Sequence, residues 1–301
     1  MHEKMTRTEA FLERLRAGDV LLADGATGTM LQSTGLDTGK VPEAWLLERP
    51  EQVRLLHRQY VEAGSDLILS CSFGGTHFRL ANDGLADCVA EVNRRAAELA
   101  REAAGEEVWV AGDMGPTGQL LAPLGRLTTE EVAAAYAQQV AGLVAGGVDL
   151  LLIETMSDLG EAQAAIQGAR RVTDLPIFCT FSFDTHGRTM MGVRPAQAAR
   201  SMAPSIEGIG ANCGSDPAEF GGFLQAMRQA APRAILWAKP NAGLPRVVDD
   251  DLVIYDATPE SLAHIAVQLR DAGAQIIGGC CGTTPAHIAA MARALKQQAA
   301  S

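Results

Sequence analysis

The stretch Asp149-Leu150-Leu151-Leu152-Ile153-Glu154, followed by the alanine-rich residues 158–171, is a clear copy of the unit from which the chain is built. Four consecutive apolar residues between two acids are typical of a parallel strand that is covered on both faces. The second segment places apolar residues three and four positions apart, which is the spacing of an amphipathic helix. The pattern therefore predicts a buried strand followed by a helix.

Similar units recur along the chain, and we count eight apolar runs of this kind, most of them followed by a glycine-bearing loop and a helical pattern. The predicted strands are residues 20–24, 66–70, 108–112, 149–154, 177–181, 207–211, 234–238 and 274–278. The predicted helices are residues 55–63, 86–104, 129–145, 158–171, 216–230, 258–272 and 285–295. Two of these helices have recognisable starts, because Thr128 lies just before an acidic first turn and Thr258 precedes Pro259.

Eight strand and helix units in 301 residues predict a (β/α)8 TIM barrel, a fold whose usual length is ~250 residues. A doubly wound parallel sheet is the alternative architecture. No low-complexity linker interrupts the chain, so we predict one domain over residues 1–301, with residues 1–18 as an N-terminal capping helix. Polar residues and glycines follow each predicted strand, and in a barrel they would gather at the rim that carries active sites.

Composition excludes several classes of protein. The formal net charge of −11 and the absence of a long Lys/Arg cluster disfavour nucleic acid and anionic membranes as partners. The sequence has no run of eighteen apolar residues and no apolar signal core near Met1, so we expect a cytoplasmic protein. Six cysteines without a regular framework spacing indicate reduced thiols rather than a disulfide-stapled fold.

Three of the cysteines follow predicted strands. Cys280 and Cys281 come after residues 274–278, and Cys213 comes after residues 207–211. Adjacent cysteines do not readily form a disulfide with each other, because consecutive Cα atoms are about 3.8 Å apart and disulfides prefer ~4.4–6.8 Å. Three thiols at two strand ends of one rim therefore suggest a shared metal ion.

The ligand count indicates what such a metal would do. An all-sulfur set favours zinc, and three protein ligands leave the fourth position that catalytic zinc sites keep open. Three thiolates make the ion a poor generator of hydroxide. A fourth thiol bound there would have a lowered pKa and remain nucleophilic, so the residues predict alkylation of a thiol.

Five motifs in order along the chain resemble the homocysteine S-methyltransferase family, which includes betaine–homocysteine methyltransferase and the homocysteine-binding module of cobalamin-dependent methionine synthase. The resemblance extends over essentially the whole chain. The motifs are Asp24-Gly25-Ala26-Thr27-Gly28-Thr29, Glu154-Thr155-Met156-Ser157-Asp158, Gly210-Ala211-Asn212-Cys213-Gly214, Pro240-Asn241-Ala242-Gly243-Leu244-Pro245 and Gly278-Gly279-Cys280-Cys281-Gly282-Thr283-Thr284.

The resemblance implies a barrel that binds Zn²⁺ through Cys213, Cys280 and Cys281, with the homocysteine thiol as the remaining ligand. It also implies that Asp24 and Glu154 hold the substrate ammonium. The backbone amides of Gly25, Ala26 and Thr27 would hold the carboxylate, and we place Asn212 among the substrate-binding residues with them. Carboxylates suit an ammonium group, and glycine-rich turns expose N–H groups to an anion.

The activity that the resemblance implies is methyl transfer from a small donor to homocysteine, forming methionine. The donor is open between betaine, a sulfonium such as S-methylmethionine, and a methyl-corrinoid. We expect no folate or cobalamin module on this chain, so a corrinoid protein would act in trans. Trp45 could supply an aromatic wall for betaine, and Cys71 could lie near the donor. A homo-oligomer is compatible with the alanine-rich outer helices.

Alternatives of another class follow from the same residues. A closed structural zinc, with Cys71 or His77 as the fourth ligand, would make the protein a binding or sensor barrel without methyl-transfer activity. Asp24 could also serve only to cap a turn, and Glu154 could form a buried ion pair.

Overall fold

Parallel strands and helices alternate along the chain, and the strands form one curved sheet. A computed structural model describes residues 5–37, 39–184, 186–248 and 252–299. Within these ranges the sheet contains eight strands, which are β1 (Leu21–Leu22), β2 (Leu67–Leu69), β3 (Trp109–Met114), β4 (Leu150–Met156), β5 (Ile177–Phe181), β6 (Gly208–Asn212), β7 (Ile235–Lys239) and β10 (Ile276–Ile277). Between β7 and β10, the strands β8 (Arg246–Val248) and β9 (Leu252–Ile254) form a separate two-stranded sheet.

The sheet closes into a ring. Each strand pairs in parallel with its neighbour in the order β1, β10, β7, β6, β5, β4, β3, β2. An isolated parallel bridge between Ala23 and Leu67 joins the two ends, where the Asp66 N–H also donates to the Leu22 carbonyl oxygen at 2.7 Å. This confirms the predicted (β/α)8 barrel and excludes the doubly wound sheet.

The helices surround the barrel. In chain order they are α1 (Arg7–Arg16), α2 (Gly28–Ser33), α3 (Trp45–Glu48), α4 (Pro50–Glu62), α5 (His77–Leu80), α6 (Val89–Ala104), α7 (Thr129–Ala145), α8 (Leu159–Arg170), α9 (Pro195–Met202), α10 (Phe220–Ala230), α11 (Pro259–Asp271) and α12 (Pro285–Ala299). The predicted N-caps are confirmed, since Thr128 accepts a hydrogen bond from the Glu131 N–H and Thr258 accepts one from the Ser261 N–H. No helix in the described ranges is long and apolar enough to cross a membrane.

Several elements differ from the prediction. The short helices α2, α3 and α5 were not predicted. Nor was a helix between the fifth and sixth strands, where α9 forms with only eight residues. A short helix that begins at a proline and has few large apolar residues gives a weak periodic signal. The antiparallel pair of β8 and β9 was also missed. It lies in the long connection between β7 and α11, where Val247 and Val253 are exposed.

Side chains alternate between two cores along each strand. Trp109 and Ala111 of β3 belong to the core inside the barrel, whereas Val110 packs outward against the helices. Strand β4 shows the same alternation, with Leu150 and Leu152 inside. This two-residue period fixes which strand-end residues point into the barrel.

Helix α1 covers the end of the barrel at which the strands begin. Phe11 is completely buried and packs edge-on against Trp109 and Phe178, with ring centroids 5.4 and 5.8 Å away. The Trp109 Nε1–H donates to the Arg7 carbonyl oxygen, and Arg7 forms a 3.0 Å ion pair with Asp149. The helix therefore forms the floor of the interior.

We expect Phe11→Ala to lower the free energy of unfolding by roughly 3–5 kcal/mol, because it removes a buried ring and leaves a cavity. Glu13→Ala is the matched control, since Glu13 is exposed on the same helix and its loss should change stability by no more than about 0.5 kcal/mol. Urea denaturation of both variants measures the difference. Equal stability of the two variants would show that α1 does not support the core.

Candidate metal and substrate site

The last inward-facing residues of five neighbouring strands form a polar layer above the apolar interior. They continue the alternation seen below them and comprise Asp113 of β3, Glu154 of β4, Thr180 of β5, Asn212 of β6 and Lys239 of β7. All five side chains belong to buried residues. Charged groups are therefore concentrated in a small volume shielded from water on one side.

Above this layer lie three cysteine side chains. The Sγ atoms of Cys213, Cys280 and Cys281 are all within 4.8 Å of one another, and those of Cys213 and Cys281 are 3.9 Å apart. Two main-chain hydrogen bonds bring the segments together, from the Cys213 N–H to the Lys239 oxygen and from the Cys280 N–H to the Pro240 oxygen. The predicted cluster therefore forms from the ends of β6 and β10.

The sulfur spacing fits a metal ion. Four thiolates around zinc, each with a Zn–S bond of about 2.3 Å, would place their sulfurs roughly 3.8 Å apart. Among the described residues, the group of possible ligands contains these three cysteines and neither Cys71 nor His77. The His77 ring instead packs against Phe78 in a tilted arrangement, with ring centroids 3.8 Å apart. The proposed closed site with Cys71 or His77 is therefore not assembled.

The three thiols influence one another's ionisation. Hydrogen bonds from Cys280 and Cys281 lower the pKa of Cys213 to about 3, so its thiolate is stabilised at neutral pH. Giving that hydrogen bond to Cys213 raises the pKa of Cys280 to about 11, and the bonds to Cys213 and Cys280 raise the pKa of Cys281 as well. A cation bound to the three sulfurs would replace the remaining two protons.

Backbone conformation at this rim is unusual. Thr155 and Cys213, each next to a residue of the polar layer, have φ values of 62° and 56°. Such left-handed conformations are strained for residues with a side chain and persist where the surroundings hold them. Asn212 provides part of that support, because its Oδ1 accepts hydrogen bonds from the Thr155 N–H and the Thr180 hydroxyl.

Asn212 is therefore engaged within the barrel. Its Nδ2 donates to the Thr155 hydroxyl at 2.7 Å and lies 3.7 Å from the Cys280 sulfur. The residue is completely buried and does not line the cleft described below. Its predicted contact with substrate stays a prediction.

Glu154 and Lys239 form a buried ion pair, with Oε2 and Nζ 3.3 Å apart. Burial raises the pKa of Glu154, and the neighbouring Lys239 only partly offsets this effect. Burial also disfavours the ammonium of Lys239, but Glu154 and Asp24 outweigh it and raise the pKa of the lysine. The lysine therefore carries its charge, and the ion pair considered for Glu154 is present.

Asp24 lies beneath the surface of the site. Its Oδ2 accepts a hydrogen bond from the Leu69 N–H at 2.8 Å, whereas its Oδ1 has no partner among the described residues. Burial raises the pKa of Asp24 to about 7, although Lys239 acts in the opposite direction. A cation placed nearby would therefore stabilise the ionised form of this carboxyl group.

The turn after Asp24 approaches its neighbours closely. A Cβ atom on Gly25 would lie 2.7 Å from the Thr283 hydroxyl and 2.8 Å from the Tyr60 ring, so no larger residue fits without a shift. The Ala26 N–H already donates to Thr283 Oγ1 at 3.0 Å. The amide of Ala26, predicted to hold a carboxylate, is thus occupied by the protein itself.

A cleft of about 610 Å³ opens above the polar layer. Its lining includes all three cysteines and most of the other predicted site residues, namely Gly25, Ala26, Thr27 and Glu154. It also includes residues that sequence reasoning placed on the rim without a role, among them Asp113, Lys239 and Phe73. The feature of the sequence that could have identified them as site residues is their position at or directly after the end of a predicted strand.

Of the two residues considered as contacts of the methyl donor, one lines the cleft and the other does not. Cys71 lines the cleft, and burial followed by the charges of Glu43 and Asp113 raises its pKa well above the ordinary value. Trp45 does not line the cleft; it is buried in the outer core beneath the guanidinium of Arg49, 5.0 Å away. The proposed aromatic wall is therefore not formed by Trp45.

Comparisons with known proteins agree with this geometry. The family model described as homocysteine S-methyltransferase matches residues 21–295. Methionine synthases of Mycobacterium leprae and Mycobacterium tuberculosis are 33% and 32% identical over 295 residues, which cover 92% of this chain and 24% of each relative. The chain thus spans about a quarter of the length of these curated relatives.

A solved structure is similar over nearly its whole length. The metallated form of the homocysteine methyltransferase MmuM from Escherichia coli superposes with a TM-score of 0.79 at 27% identity, covering 96% of this chain and 99% of that one. The family model matches most of the sequence, and the five motifs predicted the same assignment. The chain belongs to the homocysteine S-methyltransferase family of enzymes.

Proposed function

We propose that the protein transfers a methyl group from a small donor to the thiol of homocysteine, forming methionine, with Zn²⁺ held by Cys213, Cys280 and Cys281. The observation that carries the proposal is the group of three sulfurs, within 4.8 Å of one another, beside a cleft lined by buried acids. Bound there, zinc would supply the positive charge that stabilises a thiolate at neutral pH.

The protein's own residues would position the amino acid. Glu154 lines the cleft and Asp24 lies behind it with a free oxygen, so both carboxyls can attract the substrate ammonium. The amides of Gly25 and Thr27 would attract the carboxylate. With both ends of the amino acid fixed, its sulfur would face the donor, and positioning of this kind contributes strongly to rate.

The chemical step needs no acid or base at the carbon. The substrate sulfur forms a bond to the methyl carbon while the bond between that carbon and the donor heteroatom breaks. The electron pair of the broken bond leaves with the donor. A donor with a positively charged heteroatom leaves as a neutral molecule.

We also propose a single domain over residues 1–301 in the cytoplasm. A corrinoid protein in trans is the alternative source of the methyl group, because the curated relatives are methionine synthases. Homo-oligomer formation stays a prediction.

Loss of one sulfur should remove the metal. We expect Cys281→Ala to bind little zinc and to lose more than about 100-fold of its activity, since loss of an outer-shell partner alone costs 10–100-fold in metal sites. Cys88→Ala is the control, because Cys88 lies outside the cluster and should not affect zinc content. Metal analysis and methionine formation are the measurements, and a fully active, zinc-free variant would contradict the proposal.

Glu154→Gln should weaken homocysteine binding. The change removes a negative charge beside the ammonium and leaves Lys239 without its ion-pair partner, so we expect KM for homocysteine to rise at least about tenfold. Glu260→Gln, an exposed acid on α11, should leave KM unchanged. Steady-state kinetics distinguish the two variants, and equal KM values would remove Glu154 from the binding site.

The lining favours a sulfonium donor. Phe73 is the one aromatic residue among the described residues that line the cleft, and a trimethylammonium group is best held by several aromatic faces. We therefore expect S-methylmethionine to give methionine faster than betaine does. Incubation of the enzyme and homocysteine with each donor, and with methylcobalamin in a third arm, tests this order. Faster transfer from betaine or methylcobalamin would contradict it.

A further inference from the structure

Asp113 is a buried acid at the end of β3 to which the proposed reaction assigns no role. Its main chain is held on both sides, because its N–H donates to the Ser70 hydroxyl at 3.0 Å and its carbonyl oxygen accepts from the Ser72 hydroxyl at 2.8 Å. The residue lines the cleft and is 6% exposed. The main chain that carries this carboxyl group is thus held in place beside the cleft.

One oxygen of this carboxyl has no partner. Asp113 Oδ1 is buried and makes no hydrogen bond within the part of the chain that the structure describes. Buried polar atoms are usually paired, and an unpaired one costs free energy unless a ligand or water reaches it. The orphan oxygen therefore indicates a place for a hydrogen-bond donor from outside the chain.

The proximity of Glu154 explains the protonation of Asp113. The two carboxyl groups lie close enough to influence each other's ionisation, and neighbouring carboxyl groups do not readily ionise together. Glu154 is stabilised as an anion by Lys239, so the proton of the pair resides on Asp113. Burial, followed by the charge of Glu154, raises the pKa of Asp113 well above its ordinary value.

The charged groups around Asp113 come from every side of the cleft. Glu154 faces it from β4, Lys239 from β7, Asp24 from the end of β1 and Glu43 from the turn before α3. The thiol of Cys71, from the loop after β2, lies close enough to sense its charge. Lys239 thus serves Glu154, Asp24 and Asp113, whereas Arg79 acts on Glu43, so a further cation beside Asp113 would let that carboxyl ionise.

Asp113 is better placed than Asp24 to meet that cation. Asp24 does not line the cleft, and one of its oxygens is bound to the Leu69 N–H. Asp113 lines the cleft with an unpaired oxygen. An ammonium group that contacts Glu154 from the cleft would therefore lie next to Asp113.

We propose that Asp113 is a further ligand for the α-ammonium group of the amino acid substrate, and that its carboxyl proton passes to solvent when the substrate binds. This inference rests on the proposed function. No covalent bond changes other than the O–H bond of Asp113, whose electron pair stays on the carboxylate. The ammonium then donates a hydrogen bond to Oδ1.

The test uses L-methionine, the product, because it has no thiol proton to release. Calorimetric titration of the zinc-loaded protein in two buffers with different ionisation enthalpies counts the protons released on binding. We expect the wild type to release up to one more proton than Asp113→Asn, and the variant to bind methionine about tenfold or more weakly. Asparagine retains the size and shape of the side chain, so a merely structural role would leave both quantities unchanged.

A matched ligand separates charge recognition from damage to the fold. The des-amino analogue 4-(methylsulfanyl)butanoate lacks the ammonium group, so Asp113→Asn should bind it no more weakly than the wild type does. Equal weakening for both ligands would overturn the proposal. So would binding of methionine by the wild type without proton release at neutral pH, a result that needs no variant.

Failure of the inference can be told from failure of the proposed function. Methionine formation from homocysteine by a variant with unchanged methionine affinity would overturn the role of Asp113 and leave the methyltransferase intact. A wild-type protein that binds no methionine and forms none from any donor would overturn both.

Discussion

A lysine ammonium buried among carboxyl groups is the interaction on which the site depends. Removing a charged group from water costs several kcal/mol, so Lys239 remains charged in the polar layer only because Glu154 lies 3.3 Å away and other acids surround it. The apolar interior below excludes water and strengthens every charge interaction above it. The charge state of each group in the layer therefore depends on its neighbours, and an added charge would change it.

The cysteine cluster is connected to this layer through the backbone. The Cys213 N–H donates to the Lys239 carbonyl oxygen, so the neighbouring ends of β6 and β7 present the sulfur and the cation side by side. The left-handed conformation of Thr155 is held by two hydrogen bonds with Asn212, and that of Cys213 by the bond from its N–H to the Lys239 carbonyl oxygen. Strain of this kind is typical of sites in which side chains must point in a particular direction.

The sequence alone predicts much of this architecture. Strands buried on both faces and helices with clear caps have strong local signals, and the three cysteines lie at strand ends that a closed barrel brings together. What it does not predict depends on tertiary packing. The pairing of Glu154 with Lys239 joins strands 85 residues apart, and the short α9 has little apolar periodicity. Asp24 lies two residues after Leu22, which faces outward from the barrel, so its side chain faces outward as well. This explains why Asp24 contacts β2 and does not reach the cleft surface.

The floor formed by α1 has a consequence for the order of events. With Phe11 and the apolar interior closing the barrel below, molecules reach the sulfurs only from the rim. An amino acid acceptor bound beside the sulfurs, as proposed, would occupy the innermost position, so it would enter before the methyl donor and depart after the spent donor. A single entrance would impose an ordered sequence of binding and release, in which the bound donor keeps the acceptor in place during transfer.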